Sequence, residues 1–457
     1  MSNRKIQSLI VFALCFCVVL PWLARVATAQ KKTAPVEATP PPVREEFKFG
    51  KVDLEVLEQV NLLDRRFERD GMVLEDEATN TYLAKIGKSL IPAGLTLENV
   101  TWKFRALRDP QPNAFALPNG SIYVTTGLLA LMDNESQLAA VLAHELTHVM
   151  ARHTYLFNRS NRKKFLTMNV IAIVGSVTPG AVGMAISLAA SIAPFIVMST
   201  ISGYSRDLER EADHRMVDMM ISAEYPAEEG INALKLLSND IEGEQVHLFY
   251  NDHPELRDRI AYLTSYLGSR ADKITPQMEL NRERTAYFRQ MESAMRHNVQ
   301  LSINGERFRS ALYFAQRLVD FHPDSENLFL LAEAYRTLGP RSPRLTEREL
   351  TNDAKKDAAK KLEKRTDEEI EREQLATPAG QENWKAHQQK SEEFYRRSLA
   401  AENPVAMAHR GLGMLYEKLD KKTEAVAEYE KYLELAPVAT DHDRIQRHIE
   451  NLRRTPQ

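Results

Sequence analysis

The sequence predicts a mainly helical protein in two parts, an N-terminal domain of helices around a small β-sheet and a C-terminal array of paired helices. Three observations carry this expectation. Apolar residues recur at helical spacing along most of the chain. Only two short runs, residues 100–104 and 121–126, read as strands. Beyond about Thr285 the pattern becomes one of paired helices. With 457 residues, 43% hydrophobic and 27% charged, the chain can form a full core and two or three domains, and is neither disordered nor fibrous.

The first stretch has a basic start (Arg4, Lys5), an apolar run from Ile6 to about Leu23, and then Ala27-Thr28-Ala29, the small-x-small pattern of a signal-peptidase site. Residues 1–29 are therefore expected to be a signal peptide, with an uncleaved membrane anchor as the alternative. Cys15 and Cys17 both lie in that run, so the mature chain carries no cysteine and is built without disulfides. Removing residues 1–29 takes away Arg4, Lys5 and Arg25 and no acid, which moves the formal charge from −3 to −6 and argues against nucleic acid as a partner. Residues 30–44, with Pro40-Pro41-Pro42, read as an extended Pro-rich linker.

Order is expected from Glu45. Leu54, Leu57, Val60, Leu63 and Phe67, then Tyr82, Ile86 and Leu90, have helical spacing. Val100 to Phe104 and Ser121 to Thr126 form the strands, with Pro118-Asn119-Gly120 turning the chain into the second. Asp133 or Asn134 caps the next helix, which runs through Leu138, Val141, Leu142 and Val149 to about His153. From Phe165 to Ser205 there is no charged residue, and Pro179-Gly180 and Pro194 interrupt the run. Buried or site-covering helices are the expectation there, and contact of residues 165–203 with a membrane surface is the alternative. Further helices are expected at about Ser205 to Ser222 and from Pro254, with the stripe Leu256, Ile260, Leu263, Leu267. Leu412-Gly413, Tyr416, Ala425, Tyr429 and Pro437 fit a tetratricopeptide repeat, and Leu331-Ala332, Tyr335 and Gly339 fit an earlier unit. The charged run 341–383 is expected to be a solvated helical insertion.

The chemistry concentrates in His144-Glu145-Leu146-Thr147-His148. Histidines four apart leave one face of a helix about one turn apart, so that both imidazoles can bind a single ion. Zinc suits such a pair because catalytic zinc sites take about three protein ligands and leave one position for water. Glu145 is then placed to take a proton from the attacking water and deliver it to the leaving amine. A chance pattern is disfavoured, since two histidines and a glutamate on an apolar helix are costly without a function. A third histidine at the metzincin spacing is missing, as Ala151 and Thr154 stand there, and His153 is one residue out of phase. His153 reads as a neighbour of the site or a helix-end histidine. A candidate third ligand lies in Tyr204 to Asp213, where Glu209 and Asp213 share a helix face and Glu211 points away. An ordinary charged helix with Glu/Arg pairing is the alternative.

Pro112-Asn113-Ala114-Phe115-Ala116-Leu117-Pro118-Asn119-Gly120, Thr125-Thr126-Gly127-Leu128-Leu129, His144 to His148 and Glu209 to Asp213, in this order and spacing, resemble the zinc peptidase family that includes the HtpX heat-shock protease and the CAAX prenyl protease. The resemblance covers about Glu45 to Leu267. It implies a zincin-type metallopeptidase domain, one zinc ion bound by His144, His148 and Glu209, Glu145 as general base, and Asp213 as proton donor or as an anchor for a ligand. It also implies that the strand Ser121 to Thr125 is the edge to which an extended substrate adds. His253-Pro254 and Arg259 resemble the family as well, with His253 either a helix cap or a residue near the metal.

The expected layout is a metallopeptidase domain over residues 45–270 and a tetratricopeptide-repeat domain over 285–457, the repeats forming a separable body that binds protein partners. The expected function is peptide-bond hydrolysis in a bacterial periplasm, acting on misfolded or stalled envelope proteins. A latent repeat scaffold and a membrane-associated protease are the rival readings.

Overall fold

The computed structural model describes residues 46–160, 204–238, 256–268, 275–343 and 367–454. The stretches read as signal peptide and linker, residues 165–203, His253 and much of the charged insertion lie outside the described residues. Helices α1 (Lys51–Arg69) and α2 (Glu77–Leu90) lead into strands β1 (Lys103–Leu107), β2 (Ala114–Ala116) and β3 (Ser121–Thr125). Then come α3 (Thr126–Leu131), α4 (Glu135–Met150), a helical stretch over 153–160, α5 (Arg206–Ser222), α6 (Glu228–Leu237) and α7 (Leu256–Leu267). The C-terminal part comprises α8 (Pro276–Asn281), α9 (Arg284–Asn304), α10 (Phe308–Phe321), α11 (Ser325–Leu338), α12 (Asp367–Leu375), α13 (Pro378–Ala400), α14 (Met407–Lys418), α15 (Lys422–Leu435) and α16 (His442–Arg454). Among the described residues no helix is long and apolar enough to cross a membrane.

The sheet order is β1-β3-β2, with β3 parallel to β1 and antiparallel to β2. This corrects the expectation that Ser121 to Thr125 is the free edge: β3 is central and buried along its whole length. Its side chains alternate between two cores, as strand geometry requires. Ile122 and Val124 join the main core with Leu138 and Leu142 of α4, while Tyr123 turns to Val60, Leu63 and Phe67 of α1. Lys103 and the Tyr123 hydroxyl donate to Asp64 at 2.8 and 2.5 Å, which fastens α1 to the sheet. Gly120 has φ +95, and a Cβ there would meet the Thr101 carbonyl oxygen at 2.7 Å, so the turn into β3 requires glycine.

The outer side of β1 is occupied. Leu74 N–H donates to the Ala106 carbonyl and Arg108 N–H to the Met72 carbonyl, each at 2.8 Å, and Asn80 Oδ1 accepts from Ala106 N–H. Flanking β2, Asn113 O accepts from Thr125 N–H and Leu117 N–H donates to the Ser121 carbonyl of β3. By antiparallel alternation, the N–H and C=O groups of Ala114 and Ala116 point outward. Among the described residues no strand pairs with the outer side of β2, which is buried at Ala114 and Phe115, half-buried at Ala116, and packs beside α4.

The main core does not divide between residues 270 and 285. One apolar cluster runs from Leu74 through Leu129 and Met216 to Tyr287, Phe314 and Leu338. Polar bonds cross the same boundary: the Tyr287 hydroxyl donates to the Leu129 carbonyl at 2.8 Å, Arg317 to the Met132 carbonyl at 2.9 Å, and the Ser136 hydroxyl to the Asn281 carbonyl at 2.9 Å. A second cluster, from Ala332 to Ile449, holds α13 to α16.

Candidate metal centre

Helix α4 positions the motif. The Asn134 side chain accepts from Gln137 N–H at 2.9 Å and caps the helix, as its sequence position predicts. Residues Ser136 to Met150 are all buried, so α4 is a central element and not a half-exposed one. Helix α5 starts at its own cap, Ser205, and packs along α4.

His144, His148 and Glu209 converge. Nε2 of His144 lies 3.1 Å from Nε2 of His148 and 3.4 Å from Glu209 Oε2, and Nε2 of His148 lies 3.7 Å from Glu209 Oε1. A tetrahedral shell with bonds of about 2.0–2.1 Å has ligand atoms about 3.3 Å apart. The triangle matches that edge length, and two imidazoles with one carboxylate are a fitting donor set, so the residues suit a metal ion. All three are buried. Glu145 is buried on the same helix turn as His144.

The ring edge of His144 remote from this triangle faces Asp213, whose Oδ1 is 3.0 Å from Nδ1. Arg259 holds Asp213 with two bonds of 2.9 and 2.6 Å and lies 3.3 Å from Glu209 Oε2. The Tyr262 hydroxyl donates to Asp213 as well. Burial works to raise the pKa of Asp213, but the Arg259 charge and the bonds from His144 and Arg259 outweigh it, so the carboxyl is held well below the usual range. Burial likewise opposes the Arg259 charge, and Asp213 and Glu209 outweigh it and raise its pKa.

Four further neighbours of the site were not legible as such. Arg259 was noted for its place after His-Pro, but its pairing with Asp213 links residues 46 apart. Tyr262, one turn later on α7, gave no signal. Tyr204 stacks on His148 with ring centroids 4.0 Å apart and planes inclined by 15°. Glu211 is off the ligand face, as expected, yet its carboxylate reaches His153, 3.5 Å away, and Arg215 at 3.2 Å. His153 is not at the C-terminus of α4, which ends at Met150; it opens the next helical stretch and sits against His148.

The sequence pattern of peptidase family M48 matches residues 77–267, the segment that holds the sheet and all three converging residues. Among characterised proteins, the chain is similar to the mitochondrial metalloendopeptidase OMA1 of Schizosaccharomyces pombe, at 29% identity over 43% of this chain and 56% of that protein. It is similar to a putative beta-barrel assembly-enhancing protease of Vibrio cholerae at 25% identity, over 47% of this chain and 43% of that one. The metalloprotease YcaL of Escherichia coli is 27% identical over 41% of this chain and 69% of its own length. The chain spans about half the length of the OMA1 proteins of the two yeasts it matches. Residues 77–267, with the HExxH helix and the downstream glutamate in place, thus carry the pattern of peptidase family M48.

Proposed function

We propose that this chain is a zinc-dependent endopeptidase of the bacterial periplasm that hydrolyses misfolded or stalled envelope proteins. The observation that supports the chemistry best is the triangle of His144, His148 and Glu209 with Glu145 on the same helix turn. Zinc held there would polarise a substrate carbonyl and lower the pKa of water to about 7. Glu145 takes the proton from the attacking water and passes it to the departing amine. Asp213 acts as an anchor: its oxygen meets His144 on the ring edge away from the ligand triangle, and Arg259 keeps it ionised, which suits fixing a tautomer better than donating a proton. The outward groups of Ala116, the half-buried residue of β2, bind the substrate backbone as an added strand.

The export-type pattern of residues 1–29 and the similarity to bacterial proteases support the periplasmic reading. Helices α9 to α16 are read as tetratricopeptide-type pairs that hold the client, since Gly413 and Tyr429 stand at repeat positions and a Cβ at Gly413 would meet the Tyr429 ring at 2.6 Å. The test is Glu145→Gln, compared with wild type for bound zinc and for cleavage of an unfolded protein. Zinc at one per chain with cleavage lost is the expected result, and cleavage by the zinc-loaded variant would overturn the mechanism.

A further inference from the structure

We propose that His153 is a positioning residue for the metal ligand His148: its Nδ1 accepts the Nδ1–H of His148, and its own Nε2–H is directed to Glu211. The inference rests on the metal-site reading above and extends it to two residues outside the ligand set.

The argument begins with the two imidazole edges. Nε2 of His148 belongs to the ligand triangle, 3.1 Å from Nε2 of His144. A histidine that gives Nε2 to a metal carries its proton on Nδ1, and that N–H takes an acceptor which fixes the ring. For His144 the acceptor is a carboxylate, Asp213. For His148 the nearby atom is Nδ1 of His153 at 2.9 Å. Two Nδ1 atoms at that distance form a hydrogen bond only if one carries the proton and the other does not. Because His148 must be the donor, His153 is the Nε2–H tautomer, and that nitrogen lies 3.5 Å from Glu211 Oε2. Glu211 is fixed in turn by Arg215, whose Nε is 3.2 Å away.

The backbone is shaped for this contact. Helix α4 stops at Met150, and Arg152 adopts φ +57, a left-handed conformation uncommon for a residue with a Cβ. That turn starts a new helical stretch at residue 153 and brings His153 back to a ligand five positions earlier. His153 has 0% exposure, so solvent gives its ring no alternative partner. Each histidine ligand thus ends on a carboxylate of α5, Asp213 directly for His144 and Glu211 through His153 for His148.

Two measurements on the full chain test this. In the zinc-loaded wild type, long-range proton–nitrogen correlation spectra of the histidine rings should show His153 as the Nε2–H tautomer; an Nδ1–H tautomer would overturn the proposal, whatever any variant does. Zinc affinity is then measured by chelator competition for His153→Leu and His153→Asn, since an asparagine oxygen can stand in for Nδ1 as acceptor. His153→Leu should weaken zinc binding about 10–100-fold, the usual scale for losing the partner of a ligand histidine. His153→Asn should recover most of it. Equal affinity in His153→Leu and wild type, or equal loss in both variants, would reduce His153 to packing. If His153→Leu does not fold, the tautomer decides. Failure of wild type itself to bind zinc would refute the metal-site reading, a result distinct from any of these.

Discussion

Asp213 and Glu209 grip opposite edges of one imidazole, with Asp213 Oδ1 3.0 Å from Nδ1 of His144 and Glu209 Oε2 3.4 Å from its Nε2. If Asp213 is an anchor, Asp213→Asn should lower zinc affinity about 10–100-fold while turnover recovers at saturating zinc. Turnover that stays low with zinc fully bound would make it the proton donor. The variant also leaves the buried Arg259 charge poorly compensated, so a stability loss of about 3–5 kcal/mol is expected, measurable by denaturant unfolding.

Glu145 carries no ligand atom of the triangle. Glu145→Gln should retain zinc and lower the rate of peptide hydrolysis by at least about 10²–10⁴-fold, the range for losing a general base. Metal analysis and single-turnover cleavage together check this.

Glu209 and Glu211 stand two residues apart on α5 but on different faces. On the proposed zinc site, Glu209→Ala removes a ligand and should abolish stoichiometric zinc, whereas Glu211→Ala should weaken zinc without abolishing it. Equal zinc loss in both, by metal analysis, would mean that Glu209 is not the third ligand.

If β2 takes the substrate as an added strand, the outward N–H of Ala116 is one of its donors. Ala116→Pro removes it, and proline is tolerated on an edge. Peptide KM should rise by about tenfold, the value of one hydrogen bond of about 1.4 kcal/mol at the upper end of the usual range, with zinc content and melting temperature nearly unchanged. An unaltered KM would move substrate binding elsewhere.

The main core continues across residues 270–285, so a chain ending at Arg270 would uncover Leu129 and its neighbours where Tyr287 and Phe288 now pack. Such a chain should aggregate or fail to bind zinc. One ending at Asn403 keeps α9 to α13 and should remain folded, because α14 to α16 belong to the second cluster. Circular dichroism and zinc content separate the outcomes.

How much was legible follows from the range of each signal. The HExxH motif and the caps Asn134 and Ser205 are local, and the helices start at those caps. The strand β1 begins at Lys103, three residues later than its alternating aromatics suggest, because Val100 and Trp102 pack at the margin of the core. Strand β2 was missed: Ala114-Phe115-Ala116 is too short to show alternation, and without it β3 reads as an edge. Hydrophobic spacing shows that α9 has an apolar face but not which partner covers it, so the shared core could not be foreseen. The Asp213–Arg259 and His153–Glu211 contacts join residues far apart in sequence, and nothing in one chain's pattern announces them.

Among the described residues no strand pairs with the outer side of β2, half-buried at Ala116, and this raises a question of self-association, because an unpaired strand edge invites a second copy as readily as a substrate. Here it lies between Pro112 and Pro118, neither of which has an N–H to offer a ladder. The prolines confine pairing to residues 113–117, a span of about 17 Å at the usual rise of a strand. A segment that short can hold a few residues of an extended chain, yet gives too little ladder to nucleate a continuous intermolecular sheet. On the proposed function, the enzyme can therefore take unfolded, aggregation-prone chains as clients without becoming a template for them.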